Sequence, residues 1–484
     1  MNKIFLPFLA LLLMLQSCDV PRLQYQRIFR SIQLEVDQHS QAHKLLTDMC
    51  ARFGPRPAGS SGAAQAEDMA AMLFLSYGID RVFFQPFTFE QWHRGPLQLT
   101  LKGRGYTDTL EALSLAYSPG AHCTGKLVDV GNGLIEDYAG IDVNGKIVVF
   151  YLGLLPDTPE GVRNVRRADK VSFALAQGAI ACLTINDAPG NPDLCVTGTA
   201  SLDGKAIKIP AVNISYANGM ALRERLKTQP LQARIEMENT FAQVQARNVV
   251  ARMEGTEFPK ETIVVGAHLD SWDISPGAID NASGVVTVLD MARTFSALGD
   301  KPRRTIDFVL FMAEEEGHYG AEAYMEEAQR QNTLQGIRYM FNHDMTVNTC
   351  GFNLMGRYDS EDFFLEVGAI IRRTDSTFTN RIEHQAYLGS DHAEFIFEGI
   401  PTFAPYTDSE DVYGTYHTPA DTPEAVTDEM LKSNIRPSAM MVYALANAAS
   451  LPTERFSDEQ VRNYLIENGL QDQLVISGEW VWDL

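Results

Sequence analysis

The sequence predicts an α/β protein in which a sheet is sandwiched between helices, with a second α/β unit ahead of it. Two observations carry this. From about Asn248 onward, apolar strand runs alternate with stretches of helical spacing: Thr262–Ala267, Gly284–Leu298, Thr305–Phe311, Tyr319–Gln331 and Ile337–Asn342. Between about 115 and 240 the alternation recurs separately, as strand 145–150, helix 170–177, strand 178–185, strand 209–215 and a helix from Ala217. With 484 residues, 45% of them hydrophobic, the chain can fill about three domains at ~150 residues each.

In chain order, Lys3 precedes an apolar run, Ile4–Leu15, which is shorter than the ~20 residues a membrane-spanning helix needs. The run ends in Leu15-Gln16-Ser17-Cys18, which resembles the lipobox of bacterial lipoprotein signal peptides. That resemblance implies removal of residues 1–17, a lipid anchor on Cys18 and a place in the bacterial cell envelope, on the periplasmic side or the cell surface. The only membrane attachment expected is that anchor.

Residues 19–45 read as a polar helical leader, and 19–115 as the first part of the main domain. Phe53–Ser60 is a loop dense in Gly and Pro, Ala63–Tyr77 has helical spacing, and Val82–Phe89 reads as a strand. The order GKIVV, helix, GAIACL, IPAVNIS over 116–239 resembles the PA domain, a unit inserted in several peptidase families. Residues 240–452 hold the remainder of the main domain. The tail 453–484, polar and aromatic, carries no assignable motif.

Six cysteines are present, and five remain if Cys18 is lipidated. No CxxC pair supports a thiolate metal site, and Cys182–Cys195 is the nearest candidate disulfide. Acidic residues exceed basic ones by 62 to 40, giving a net charge of −22. That balance argues against nucleic-acid or anionic-lipid binding by charge, which needs basic patches.

Chemistry-bearing side chains cluster where strands end. His268 and Asp270 follow the strand 262–267, Glu314 and Glu315 follow 305–311, and Asp344 follows 337–342. Asp280 precedes a helix, and His417 lies in Tyr416-His417-Thr418-Pro419. The carboxyl ends of strands are where open α/β sheets bind ligands, so these distant segments are expected to meet on one edge. Taken singly, each has a bland alternative: Asp280 a helix cap, Glu314-Glu315 a solvated pair, Tyr416 a packed aromatic.

In that order the pieces GAHLD (266–270), GAIDN (277–281), AEEEG (313–317), NHD (342–344), GSDH (389–392) and YHTP (416–419) resemble the M28 family of zinc peptidases. FGPRPAGS (53–60), WHRG (92–95) and HLDSWD (268–273) are most similar to the carboxypeptidase Q branch. Asn281 departs from that branch, which has a second acid there. The resemblance implies a three-layer α/β/α zinc-peptidase fold with a mixed sheet and two zinc ions per chain. His268 and Asp344 would hold one ion, Glu315 and His417 the other, and Asp280 would bridge them. Glu314 would be the general base for a metal-activated water, on an extended backbone that turns Glu315 the other way. Asp270 would orient His268, and Tyr416 would steady the oxyanion. A cis Asp280–Asn281 bond, a helix-capping role for Ser390-Asp391-His392, a peptide substrate and a homodimer are further implications. The implied activity is that of an exopeptidase for short peptides or dipeptides; a non-catalytic binding protein and a glutaminyl cyclase of the same fold are the alternatives.

Overall fold

The computed structural model describes residues 25–79, 81–187, 191–202, 204–408 and 414–483. The leader and Cys18 lie outside the described residues. Within them, the strands form two eight-stranded sheets.

The first sheet runs Arg81–His93, Thr240–Met253, Arg304–Phe311, Phe258–His268, Ile337–Asn342, Thr402–Tyr406, Gly351–Asn353, Arg381–Glu383. Its four central strands are parallel and its flanks are partly antiparallel, so the sheet is mixed. Helices cover both faces, which explains why Ile263–Ala267 reads as an unbroken apolar run rather than an alternating one. Ile263, Val265 and Ala267 face the helices Ala42–Phe53, Ser61–Ser76, Ser283–Leu298 and Asp428–Asn447. Val264 faces the opposite side, against Tyr324, Met325 and Phe395 from Tyr319–Arg330 and His392–Phe397.

From Phe258–His268 the chain pairs with Arg304–Phe311 on one side, then crosses to Ile337–Asn342 on the other. This reversal opens a crevice at the carboxyl end of Phe258–His268, directly beyond His268.

The second sheet is the inserted unit. Its parallel core is Ala121–Asp129, Ile147–Tyr151, Ala181–Ile185 and Ala211–Ile214. Leu97–Gly103 and Tyr106–Leu110, upstream of residue 116, also join it, because Leu97–Gly103 pairs with Gln232–Met237. At its border Arg94 forms a two-pronged ion pair with Asp273 and also donates to Thr197 Oγ1, which ties the two units together.

Two elements add to the sequence reading, and the candidate Cys182–Cys195 disulfide departs from it. The leader is an amphipathic helix over 25–39 that buries Ile28, Phe29, Ile32 and Val36 in the main core. The tail forms the helices Asp458–Glu467 and Gln471–Ser477, packed on Ile396 and Leu388. Cys182 and Cys195 are both free thiols: Cys182 is enclosed within its own strand's core, and Cys195 Sγ faces the Glu111 carbonyl at 3.8 Å.

Arg56, from the Gly/Pro-dense loop, is fully buried. It donates to the carbonyls of Leu269 (2.9 Å), Gly54 (3.2 Å), Gly277 (3.3 Å) and Pro276, and so laces together the loop between His268 and Asp280. Arg56→Met leaves these acceptors without a donor. It should lower unfolding stability by about 3 kcal/mol or more, which a urea titration would measure; a near-neutral result would mean the loop is held elsewhere.

Candidate metal centre

Five donors converge in the crevice. Asp280 lies between the two imidazoles: one of its oxygens is 3.1 Å from His268 Nε2 and the other 3.1 Å from His417 Nε2. His268 Nε2 is also 3.3 Å from Asp344, and His417 Nε2 is 3.2 Å from Glu315. His268, Asp280 and Glu315 alone place ligand atoms within 4.8 Å of one another. Glu314 stands beside the cluster, 3.9 Å from His268 Nε2. Thus the five residues expected as ligands, and the expected base, occupy one site.

The local backbone explains how. Asp280 sits in an irregular turn, Ala278–Ala282, that leads into the helix Ser283–Leu298, and its bond to Asn281 is cis. Asp421 holds this turn: its carboxylate accepts from the amides of Ile279 (2.7 Å) and Asp280 (3.0 Å). Asn281 donates to the His343 carbonyl at 2.8 Å and accepts from the amides of Gly284 and Met345. An ionised acid could not make the first of these bonds, so the amide suits this turn.

Two expected details change. Glu314 and Glu315 are in a tight turn, not on extended backbone: Ala313 is left-handed (φ 63°), and the Glu314 carbonyl accepts from Gly317 and His318. Asp270 lies 3.7 Å from His268 Nδ1, too far for a hydrogen bond. Its oxygens instead accept from the amides of Glu314 (3.3 Å) and Glu315 (3.2 Å), so it positions the turn that carries both glutamates. Asp391 starts the helix His392–Phe397 but makes no capping bond, and both of its buried oxygens lack a partner.

Electrostatics mark the site as built for cations. Burial pushes the Glu315 carboxyl well above the usual range, and the Asp280 charge adds to this. Burial does the same to Glu314, reinforced by Asp344 and Glu315 against the opposing pull of His268. Burial lowers His268, but Glu314 and Asp344 outweigh it and hold the imidazole well above its ordinary value. Buried Asp280 would rise too, yet hydrogen bonds from His268 and His417 pull it far down. Glu315 Oε1 and both Nδ1 atoms have no hydrogen-bond partner. So many clustered acids, imidazole nitrogens and orphaned donors fit divalent metal, whose charge compensates the carboxylates.

A cavity of about 1260 Å³ opens onto these residues. Tyr416 stacks on His417 with ring centroids 3.6 Å apart, and the Trp272 edge packs on the same imidazole. The inserted unit reaches in as well. The Thr197 amide donates to the His417 carbonyl, and Arg167 lines the cavity with its Nε unpaired. Gly198 (φ 123°) passes so close that a Cβ there would stand 2.9 Å from His417 Nδ1. Asp421 and Arg167 had no role in the sequence reading. The first carried a faint signal four residues beyond His417; the second carried none, since only the docking of the inserted unit brings it here.

This is the centre of a metal-dependent hydrolase. Residues 248–442 match the model of peptidase family M28, and residues 115–222 match the PA domain. The chain is an M28-family metallopeptidase with an inserted PA domain. Carboxypeptidase Q of Xenopus laevis is 23% identical over 87% of this chain and 93% of its own. An aminopeptidase from Aneurinibacillus sp. strain AM-1 is 28% identical, with a TM-score of 0.65 over 89% of this chain and 98% of its own. The peptidase M28 precursor from Shewanella amazonensis shares the fold, with a TM-score of 0.78, 21% identity and coverage of 90% and 100%.

Glu394 lies in the cavity wall, where burial, then Glu322 and Glu479, push its carboxyl up to about 8. The folded chain keeps this proton to about pH 8, whereas the unfolded chain releases it near 4.5. Between those values the native state binds more protons, so this group's contribution to stability falls as pH rises. Glu394→Gln should flatten that decline in melts taken from pH 4.5 to 8; a slope equal to the parent's would refute it.

Proposed function

We propose that the protein is a two-zinc exopeptidase that hydrolyses dipeptides and other short peptides. The reading rests on Asp280, whose two oxygens face different imidazoles and so suit a bridging ligand. His268 and Asp344 would complete one ion's donors, and Glu315 and His417 the other's. When bound, the paired ions supply Lewis-acid polarisation of the scissile carbonyl and charge stabilisation. Glu314 takes the proton from the attacking water and delivers it to the leaving amine, a task suited to a carboxyl whose proton affinity is raised. Asp270 keeps Glu314 and Glu315 aimed by holding their amides. Tyr416, beside His417, offers a hydroxyl to the developing oxyanion. Arg167 offers a cation to a free substrate carboxylate inside the cavity, which favours small substrates with an open terminus.

The intact donor set and base disfavour the non-catalytic reading. The second donor pair and the PA insertion disfavour a single-zinc cyclase. We further propose that residues 1–17 are removed and that Cys18 carries a lipid anchor in the cell envelope.

Glu314→Gln should retain two zinc ions per chain by mass spectrometry while kcat on dipeptides falls about 10²–10⁴-fold. Full activity in that variant, or one zinc in the parent, would overturn the assignment. Cys18→Ser should abolish incorporation of labelled fatty acid and release the protein from membranes; persistent labelling would exclude the anchor.

A further inference from the structure

The tail 453–484 has no motif, yet it reaches the catalytic cavity. Leu474 is buried with Val461, Tyr464, Leu465 and Leu470 against Ile396, which seats the helix Gln471–Ser477 on the main domain. Gln473, Ser477 and Trp482 then line the same cavity as Glu314 and His417. From the PA domain, Arg166, Thr199 and Ser201 line it as well.

These two walls are bonded to each other. Arg166 Nη2 donates to the Gln473 carbonyl at 3.0 Å. The guanidinium is aimed by Asp169, which accepts from its Nε (3.0 Å) and Nη2 (2.9 Å) and also from the Arg166 amide. Asp169 is buried and anchors a guanidinium whose contact with Gln473 is solvent-exposed. Arg163, on the preceding loop, lies beside the tail at Gly469. The insertion and the tail therefore touch at the rim of the cavity.

We propose that this contact is a clasp that sets substrate length. The PA domain and the C-terminal helix, joined at this contact, hinder a long chain from extending across this side of the cavity. The cavity these two walls border has a volume of about 1260 Å³. The proposal rests on the exopeptidase reading for its biological sense, but its test does not.

Zinc-loaded Glu314→Gln protein is titrated by calorimetry with a dipeptide and with an octapeptide of the same terminal pair. The titrations are repeated in that background with the chain ended at Leu470, and with Arg166→Ala. The octapeptide-to-dipeptide affinity ratio should rise about tenfold on truncation, with a smaller rise in Arg166→Ala and a smaller one still in Arg166→Lys, which keeps a donor. Thermal melts establish that each variant is folded. Should the truncation fail to fold, Arg166→Ala decides. An unchanged ratio in folded variants overturns the clasp. Turnover by the Glu314-containing parent is scored separately: a parent that cleaves no peptide removes the exopeptidase reading, and the binding ratio still judges the clasp.

Discussion

The constraint on which the rest of the structure depends is the enclosure of several carboxylates around two imidazoles. Asp280, Glu314, Glu315 and Asp344 lie within a few ångströms of His268 and His417. Like charges this close cannot all ionise in a protein interior without cationic compensation. The chain meets the problem in part by raising the proton affinity of Glu314 and Glu315. Bound divalent ions would meet the remainder, at the cost of fixing ligands from five separate segments.

That cost explains the supports. The backbone that carries several of the donors is held by buried side chains. Asp421 holds the turn of Asp280 by two amides, Asp270 holds the turn of Glu314 and Glu315 by two more, and Arg56 holds the loop between His268 and Asp280 by its carbonyls. In each case a buried charged side chain binds backbone, which is stiffer than a side-chain partner and leaves no polar group unsatisfied. The sheet supplies the coarse placement, because chain reversal at Phe258–His268 opens the crevice beyond His268.

Much of this was legible in the residues. The central strands announce themselves because burial on both faces makes each rich in apolar residues, and the acids beyond their ends stand out against them. His268, Glu314, Glu315 and Asp344 could therefore be assigned to one edge before any coordinates. What was hidden depends on contacts between segments remote in sequence. The turn at Ala313 needs a left-handed non-glycine residue, which no local pattern foretells. The hydrogen bonds of Asp270 follow from that turn, so they were misjudged along with it. The leader looked polar because its buried stripe of Ile28, Phe29, Ile32 and Val36 is one face of a helix whose other faces are solvated.

The same reasoning explains why the tail had no legible role, though it borders the chemistry as the PA domain does. Neither contributes a metal donor; each contributes a wall, and a wall has no residue signature. Thr197 and Gly198 are small because they pass against His417, so their chemistry is that of close approach rather than of ligation. The tail meets the PA domain at Gln473, whose contact to Arg166 is made by its backbone carbonyl and is thus indifferent to the side chain at 473. A contact of that kind leaves the reacting atoms to the sheet edge and the limits on what reaches them to two segments that flank it. Substrate range in this chain can then change by loop and tail variation while the donor set stays fixed, which is the division of labour expected when a rigid sheet carries the chemistry.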